Sequence, residues 1–568
     1  MKATHGGQFA VTGVSPRSSF AAPSHGKPNF FKSLLSMNPL KLIFAMGYIL
    51  QGLANPFEGI TYQSFFKHFR YDYGISESGV QNLYSQTYLA WSFKPLIGFL
   101  MDAYGRTKAT LIILLLLSTG FYITTPLVDS SSRIFFCLIF VLSIIFASTD
   151  VAVDRATVIL GDEESKNTGR SRAATVGLNQ AICWAAIYIT CIFASVTGGW
   201  VAENIKIKYL MLSLALLHLA AFLLVLRLPK DTARAIPIKE SIKNFWDALN
   251  TGPIIWVILF YFFFWFRPAL GPLWLNHLIE DLHFSQVQIG YADAASNFGY
   301  FVGVLVFVWI GIPWQDKLGM RNIFRIFIIL NILVNMTQCL LVDPWFGKLI
   351  RFAHNVLPWH SLDAIRFLYL AGYNFFYALL DSVISMSTLS LVGAVIPVYA
   401  AGSLFAGFMS VSNLASAFSY SSGSWLYDNG LKYGFFRFLQ KELLGIASSG
   451  GDKMALSLLI FLGPLTTLIS FLVVHILPDR KQTLGVDNNP NLIGPKEFKV
   501  LGESFLRIVN IVSLISGITI FLLIFLGCSE DIIKSSLIAF FTTTFLRKVF
   551  LDWCYKRFIK KTSIALLA

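Results

Sequence analysis

Residues 91–108 read Trp-Ser-Phe-Lys-Pro-Leu-Ile-Gly-Phe-Leu-Met-Asp-Ala-Tyr-Gly-Arg-Thr-Lys, an apolar run that ends in a short basic turn. Gly98 allows a neighbouring helix to approach, and Gly105 permits a tight turn because glycine has no Cβ atom. We expect Asp102 at the membrane edge and Arg106 in the basic layer beside the cytoplasm. The stretch therefore predicts a cytoplasmic gate between two membrane helices; an ordinary basic loop is the alternative.

The composition indicates an integral membrane protein. Of the 568 residues, 55% are hydrophobic and 13% are charged, whereas a soluble domain carries about 25% charged residues. The net charge of +14 is concentrated in tails and short loops beside apolar segments, which favours contact with anionic lipid over nucleic acid. The six cysteines have no paired ligand spacing, and no ATP-binding signature occurs, so we expect neither a metal nor a cofactor.

Fourteen apolar segments are long enough to cross a membrane. Twelve form two sets of six, at roughly 40–62, 76–101, 109–128, 134–156, 173–196 and 208–228, then 252–274, 287–311, 322–342, 366–396, 400–426 and 454–477. Two more lie at about 505–527 and 532–552. We predict an all-α membrane protein with six plus six transmembrane helices and two extra C-terminal helices.

The polar breaks between these segments divide the chain into six parts. They are a disordered cytoplasmic tail (1–34), an N-terminal six-helix bundle (35–228), a cytoplasmic linker (229–250), a C-terminal six-helix bundle (251–478), a polar linker (479–504) and a transmembrane hairpin with a basic end (505–568). An even number of spans puts both termini on the basic side, which the positive-inside rule assigns to the cytoplasm. Basic loops at 343–365 and 427–452 run against this orientation. We expect a monomer in the cell membrane, with an organellar membrane as the alternative.

The second set of spans repeats a feature of the first. Asp316-Lys-Leu-Gly-Met-Arg321 follows the eighth segment, as Asp102-Ala-Tyr-Gly-Arg106 follows the second. Two hydrophobic halves with matching loops are typical of transporters built from a parallel repeat. We therefore assign Asp316 and Arg321 to the predicted cytoplasmic gate as well.

Several segments resemble members of the folate–biopterin transporter family, a branch of the major facilitator superfamily. They are Tyr48-Ile-Leu-Gln-Gly-Leu53, Trp91-Ser-Phe-Lys-Pro-Leu-Ile-Gly-Phe-Leu-Met-Asp102, Ala147-Ser-Thr-Asp-Val-Ala-Val-Asp154 and Phe405-Ala-Gly-Phe-Met-Ser-Val-Ser-Asn-Leu414. The resemblance covers residues 45–425 and differs at Ala90, where that family has proline, and at Arg155, where it has a small residue. It implies the major facilitator fold and proton-coupled uptake of folates or pterins, with no enzymatic activity.

Other functions remain open at this point. The same fold is compatible with another cargo, such as S-adenosylmethionine, a drug, a peptide fragment or a nucleotide-like metabolite. A membrane-embedded transferase is a further alternative, but His218 has no catalytic partner at useful spacing. The two-half pattern also argues against the transferase.

Ionisable residues inside the spans are the first candidates for transport, because they are costly in a membrane and usually functional. Asp150 and Asp154 lie four residues apart, hence on one helix face. Two close carboxylates disfavour double ionisation, which suggests a proton-binding pair. Alternatively they form a gate by pairing with Arg155 and Arg106.

Two of the cations within predicted spans are candidates for a role in transport. Lys94 is the deeper one, and we expect it to bind an anion or to take part in proton movement; its alternative role is a structural partner of Glu58. Arg267 directly follows the aromatic run Phe262-Phe-Phe-Trp-Phe266, so it could hold a carboxylate by a bidentate contact and stack on a flat ring. The alternative is that Arg267 reaches the membrane surface.

The remaining candidates are polar or aromatic side chains within predicted spans. Asp293 is expected to accept a proton or a pterin amine, or else to form a helix-packing pair. The others would line the transport cavity or hydrogen-bond between helices: Glu58, Gln180, Trp184 and Asn413.

Overall fold

The computed structural model describes residues 39–104, 106–128, 131–168, 172–227, 237–249, 252–342, 346–356, 361–395, 401–443, 453–474 and 477. Within these ranges the chain forms helices joined by short turns and contains no strand, as the sequence predicts. The predicted N-terminal tail, the polar linker and the C-terminal hairpin lie outside the described residues.

The first half of the chain, up to residue 227, contains a helix at each of its six predicted spans. The helices are α1 (Pro39–Ala54), α2 (Thr61–Lys67), α3 (Glu77–Trp91), α4 (Lys94–Tyr104), α5 (Thr107–Thr124), α6 (Ser132–Thr168), α7 (Arg172–Asn204) and α8 (Ile207–Val225). A further helix, α9 (Ile238–Leu249), lies in the predicted linker.

The second half, from residue 252, likewise has helices at its six predicted spans. They are α10 (Gly252–Trp265), α11 (Gly271–Glu280), α12 (Gln286–Val306), α13 (Ile312–Leu318), α14 (Met320–Met336), α15 (Phe346–Val356), α16 (Leu362–Val395), α17 (Ala401–Asn429), α18 (Gly434–Phe438) and α19 (Leu456–Val473). A π-helical turn, Phe307–Gly311, joins α12 to α13.

Seven of the helices in the described part of the chain are long and apolar enough to cross a membrane. Others are interrupted for a local reason. Pro56 follows Asn55 where α1 ends, and proline disfavours a helical residue before it. Phe57 and Gly59 then adopt positive φ angles of 64° and 54° before α2 begins. Assignment of the interrupted helices to spans, and hence the six-plus-six count, stays a prediction.

Contacts between loops define the two ends of the bundle. At the end that holds α9, Lys108 Nζ donates to the Leu226 carbonyl at 2.8 Å. At the other end, Lys453 Nζ donates to Glu77 Oε1 at 2.7 Å. We call these the linker side and the far side.

Glycine allows the two halves to pack closely. A Cβ atom at Gly199 of α7 would lie 2.4 Å from the backbone oxygen of Gln286 at the start of α12. Further along α12, a Cβ at Gly299 would lie 2.2 Å from the backbone oxygen of Phe375 in α16. Backbone atoms cannot move aside as a flexible side chain can. The helix α12 is therefore packed tightly between α7 and α16.

Apolar clusters join the halves at both ends. Towards the linker side, Val158 and Ala185 belong to the same buried cluster as Val304 of the second half. Towards the far side, Tyr84 of the first half shares a cluster with Leu278 of the second. The chain therefore forms one packed body, and its polar residues must be accommodated between these clusters.

We expect Gly299→Leu to lower the unfolding temperature in detergent, because the added side chain meets the backbone of α16. Overpacking of this kind costs about 1–3 kcal/mol. The matched control is Gly372→Leu on α16, where a Cβ meets nothing within 4 Å. Equal thermal stability of the two variants would contradict the described packing of α12 on α16.

Candidate functional site

A buried ion pair connects α4 with α6 in the first half. Lys94 is the first residue of α4, and its Nζ contacts Asp150 Oδ2; the two side chains are 2% and 5% exposed. The Lys94 ammonium also lies 4.8 Å from the ring centroid of Trp91. Glu58, the alternative partner from sequence, instead accepts a hydrogen bond from Asn55 Nδ2 at 2.7 Å. Lys94 and Asp150 thus compensate each other's charge inside the bundle.

Asp154 lies next to this pair and accepts hydrogen bonds from neutral groups. Tyr48 Oη donates to its Oδ1 at 2.6 Å, and Gln180 Nε2 donates to the same oxygen at 3.2 Å. The ring of Trp184 packs edge-on against Tyr48, with 6.0 Å between centroids. These residues and the Lys94–Asp150 pair form what we call the first-half cluster. It brings together five of the predicted site residues: Lys94, Asp150, Asp154, Gln180 and Trp184.

Asp102 connects three elements on the linker side. Arg155 Nε of α6 donates to Asp102 Oδ1 at 3.0 Å, and Ser241 Oγ of α9 donates to Oδ2 at 3.1 Å. This corrects the alternative in which Arg155 and Arg106 would pair with Asp150 and Asp154. Arg155 pairs with Asp102, and Arg106 is exposed.

The other predicted gate residues have different surroundings. Gly98 is buried within α4, whereas Gly105 lies outside the described residues. Asp316 lies in α13, and its side chain is not among those described. Arg321 donates from Nε and Nη2 to the Leu477 carbonyl at 2.9 and 2.5 Å. The second-half repeat of the loop motif therefore shares its position in the chain, while Arg321 binds backbone.

A second ion pair lies in the second half, between Arg267 and Asp381. Arg267 Nη2 is 3.6 Å from Asp381 Oδ1, with the side chains 17% and 0% exposed. The Arg267 guanidinium carbon lies 5.2 Å from the ring centroid of Tyr377, and Tyr300 Oη donates to Asp381 Oδ2 at 3.4 Å. Asp381 was missed in the sequence, although an acid within the 34-residue apolar helix α16 is itself a signal.

Arg267 faces a cavity of about 400 Å³. Asp293 of α12 also lines it, and so do aromatic and polar side chains from both halves, among them Tyr62, Tyr88, Tyr300, Tyr373, Tyr377, Asn335, Gln338 and Asn374. Neighbouring rings in the wall are stacked: Tyr373 and Tyr377 lie 5.9 Å apart at an interplanar angle of 20°. The cavity can therefore receive a flat polar molecule and present one guanidinium to it.

The structure separates the predicted site residues into two groups. Arg267 and Asp293 line the large cavity. Asp150 instead lines a separate space of about 10 Å³ with Tyr48 and His218. Asn413 lies in α17, and its Nδ2 has no hydrogen-bond partner among the described groups.

Polar contacts between charged or aromatic side chains help to join the halves on the far side. Tyr71 Oη donates to Glu280 Oε1 at 2.6 Å, and Arg70 Nε donates to Asn276 Oδ1 at 3.1 Å. A further contact is the Lys453–Glu77 ion pair at 2.7 Å. Burial raises the pKa of Tyr71, and its hydrogen bond to Glu280 raises this pKa further. Tyr71 therefore remains a hydrogen-bond donor to Glu280 at physiological pH.

Buried ion pairs within a bundle of apolar helices, together with a polar cavity, are typical of a membrane transporter. The chain belongs to the major facilitator superfamily, whose family model, described as Major Facilitator Superfamily, matches residues 42–347. It is also similar to the folate–biopterin transporter of Synechocystis sp., with 23% identity over 414 residues that cover 71% of this chain and 76% of that protein.

Two solved structures share the fold. A D-xylose–proton symporter is 15% identical, with a TM-score of 0.52 over 78% of this chain and 98% of that one. A variant of the nucleoside transporter NupG is 12% identical, with a TM-score of 0.50 over 77% and 99%. The predicted fold and family resemblance are confirmed, and the protein is a multi-pass carrier and not an enzyme.

We expect Lys94→Met to destabilise the protein by about 3–5 kcal/mol, because it leaves the buried Asp150 carboxylate uncompensated. Adding Asp150→Leu to it should restore most of the unfolding temperature in detergent. The control is Lys453→Met, since Lys453 is 42% exposed and surface pairs contribute about 0–1 kcal/mol. Similar destabilisation by Lys94→Met and Lys453→Met would disprove this account of the first-half cluster.

Proposed function

We propose that the protein is a proton-coupled carrier that takes up flat, anionic metabolites of the folate or pterin type by alternating access. The observation that carries this proposal is the position of Arg267 between tyrosine rings in a cavity of about 400 Å³. Pockets for small organic ligands usually have volumes of about 300–1,000 Å³.

The Arg267 guanidinium has capacity for a second anion. Its contact with Asp381 is 3.6 Å long, which is beyond ordinary hydrogen-bond distance. Its Nη1 is buried and has no hydrogen-bond partner among the described groups. In this proposal a substrate carboxylate binds the part of the guanidinium that faces the cavity, since the Arg267 side chain is 17% exposed, while a flat ring stacks on the tyrosine wall. In this cycle, Asp381 neutralises Arg267 when no substrate is bound.

The comparison with the Synechocystis protein supports this substrate class, because that relative is a folate–biopterin transporter. The predicted cargo and the chemistry of the cavity agree: a pterin supplies a flat ring with amine groups, and folate also carries carboxylates. In this proposal Asp293, on the cavity wall, accepts a hydrogen bond from a ring amine.

Asp154 is the proposed proton carrier. Its described hydrogen-bond donors, Tyr48 and Gln180, are neutral, while Lys94 is committed to Asp150. A carboxylate without a cation of its own in a buried site is the group whose protonation relieves the most unfavourable charge. Proton transfer to Asp154 would leave the Lys94–Asp150 pair intact. The cluster can therefore change its charge while the ion pair continues to link α4 with α6.

A second candidate function is transport of another small metabolite, such as S-adenosylmethionine or a nucleotide-like compound. Among the described residues that line the cavity, Arg267 is the one arginine or lysine. A di- or triphosphate needs several cations, so the charge of the cavity favours a carboxylate over a nucleotide. We further propose a monomer in the cell membrane, with the linker side and both termini facing the cytoplasm, and with Gly98, Asp102, Gly105, Arg106, Asp316 and Arg321 forming the gate there.

Uptake into proteoliposomes tests the substrate and its coupling together. An inward proton gradient should drive accumulation of labelled folate or a reduced pterin, and unlabelled folates and pterins should compete more strongly than S-adenosylmethionine or nucleosides. An uptake rate that is the same with and without the proton gradient would exclude proton coupling. Stronger competition by nucleosides identifies another cargo.

We expect Arg267→Lys to raise the apparent KM for folate by about 10–100-fold, because lysine cannot make the planar bidentate contact of arginine. The binding change should exceed any change in thermal stability. Arg325→Lys is the control, since Arg325 hydrogen-bonds Asn322 at an exposed position. An unchanged KM in the Arg267 variant would remove this residue from substrate binding.

We expect Asp154→Asn to abolish accumulation driven by the proton gradient while leaving exchange of labelled for unlabelled substrate. The reason is that asparagine keeps the shape of aspartate but cannot take up a proton. Lys94→Ala should reduce both activities, because it disturbs the charge of the whole cluster. Gradient-driven uptake at the normal level in Asp154→Asn would exclude Asp154 as the proton carrier.

A further inference from the structure

We propose that His277 is a proton-binding site on the far side of the carrier, and that its imidazolium form holds α11 in the closed arrangement. This site is distinct from the first-half cluster, and it does not depend on which substrate is transported. Its ligand is a proton taken from the solution on the far side.

Both ring nitrogens of His277 face oxygen acceptors. Nδ1 lies 2.6 Å from Asp281 Oδ2, and Nε2 lies 3.1 Å from the backbone carbonyl oxygen of Leu341. A carboxylate and a carbonyl can only accept hydrogen bonds. Neutral histidine has one N–H group, whereas imidazolium has two. The described arrangement therefore satisfies both contacts only when His277 carries a proton on each nitrogen.

The His277 ring lies at a helix end and beside an anion. His277 is in the last turn of α11, the end at which the helix dipole is negative. The ring is 7% exposed and packs at 5.3 Å from the ring of Trp274. In the proposal, the Asp281 carboxylate in direct contact with Nδ1 balances the charge of the imidazolium.

Charged and titratable groups from the neighbouring elements also bear on this site. They include Glu280, Asp281 and His283 of its own segment, Arg70, Tyr71 and Glu77 of the first half, Cys339 of the turn Thr337–Leu341, and Tyr427, Asp428 and Lys453 near the end of α17 and the start of α19. Arg70 and Lys453 both contact Glu77, at 3.4 and 2.7 Å. Both cations are thereby engaged by Glu77, and the acidic group in direct contact with His277 is Asp281.

The helix that carries His277 connects the cavity to the far-side closure. Trp274, Leu275 and Leu278 line the cavity, while Asn276 and Glu280 bind Arg70 and Tyr71 of the first half. Loss of the His277 proton places a ring lone pair against an oxygen atom, which weakens the attachment of α11 to the turn Thr337–Leu341. The cavity wall and the contacts between the halves then loosen together.

The direction of the pH dependence follows from linkage. The closed arrangement binds the proton more tightly than an open one, because only the closed form offers both acceptors to the ring. Acidification of the far side therefore favours closure, and alkaline solution favours opening. For one linked proton the equilibrium between open and closed forms changes by at most about tenfold per pH unit.

Nitrogen-15 NMR of histidine-labelled full-length protein tests the protonation state without substrate. At pH 6, the acidic limit of the labelling experiment below, we expect an imidazolium signal from His277. This signal should be absent in His277→Gln and present in His354→Gln, a change at an exposed histidine of α15. A neutral His277 at that pH would overturn the proposal.

Maleimide labelling of a single cysteine at Ser296, on the cavity wall, tests the effect on access from the far side. These measurements use full-length protein in which the native cysteines are replaced. Labelling should speed up several-fold, by at most about 100-fold, between pH 6 and pH 8, and His277→Gln should remove this dependence. His354→Gln should behave like the parent.

A fixed charge at position 277 provides a further test. His277→Lys should keep labelling slow at both pH values, because its ammonium can donate to Asp281 and Leu341 at either pH. The proposal would be overturned if labelling of His277→Gln depended on pH, or if labelling of His277→Lys were fast. Failure of folate uptake with a normal labelling pattern would instead contradict the proposed function alone.

Discussion

A charge inside a bundle of apolar helices needs a partner, and this requirement shapes both halves of the chain. Lys94 contacts Asp150 in the first half, and Arg267 lies beside Asp381 in the second. The first pair connects α4 with α6, and the second connects the turn after α10 with α16. Each pair therefore links elements that are distant in sequence and constrains how they can move. An unpaired member would cost several kcal/mol. Any rearrangement of the carrier must therefore keep each charge compensated or offer a substitute ion.

The two ion pairs differ in burial and in the distance between their charged atoms. Lys94 and Asp150 are almost fully buried, at 2% and 5% exposure, with no direct access from the large cavity. Arg267 is 17% exposed and lies at a longer distance from its acid. A substrate anion can therefore substitute for Asp381 more readily than for Asp150. This difference supports the proposal that substrate binds in the second half and that the first half holds the transported proton, a division that the chain sequence alone does not reveal.

The fold was largely predictable because it depends on local properties of the chain. Helices lie at the predicted spans within the described residues, and Pro56 and Pro268 mark places where the helical run is interrupted. The candidate site was less predictable, because it depends on contacts between distant residues. An ionisable residue inside an apolar span is usually functional, and this argument applies to Asp381 as well as to Lys94. Asp381 was nevertheless missed because it lies within a long apolar helix. His277 gave no sequence signal, since its second acceptor is a backbone carbonyl 64 residues away.

The two ends of the carrier are closed by different kinds of interaction. On the linker side, Asp102 and Arg155 are buried, at 9% and 11% exposure, and Ser241 adds the linker helix to the same carboxylate. On the far side, Lys453 is 42% exposed, and the His277 contact uses Asp281, which is 64% exposed. Exposed pairs are screened by salt and weakened by water, whereas a buried pair must be separated against a large desolvation cost. The exposed contacts of the far side are therefore more sensitive to salt than the buried contacts of the linker side. In the proposed transport cycle, separation of the buried Asp102–Arg155 pair draws on substrate binding at Arg267 and on a change of charge at Asp154.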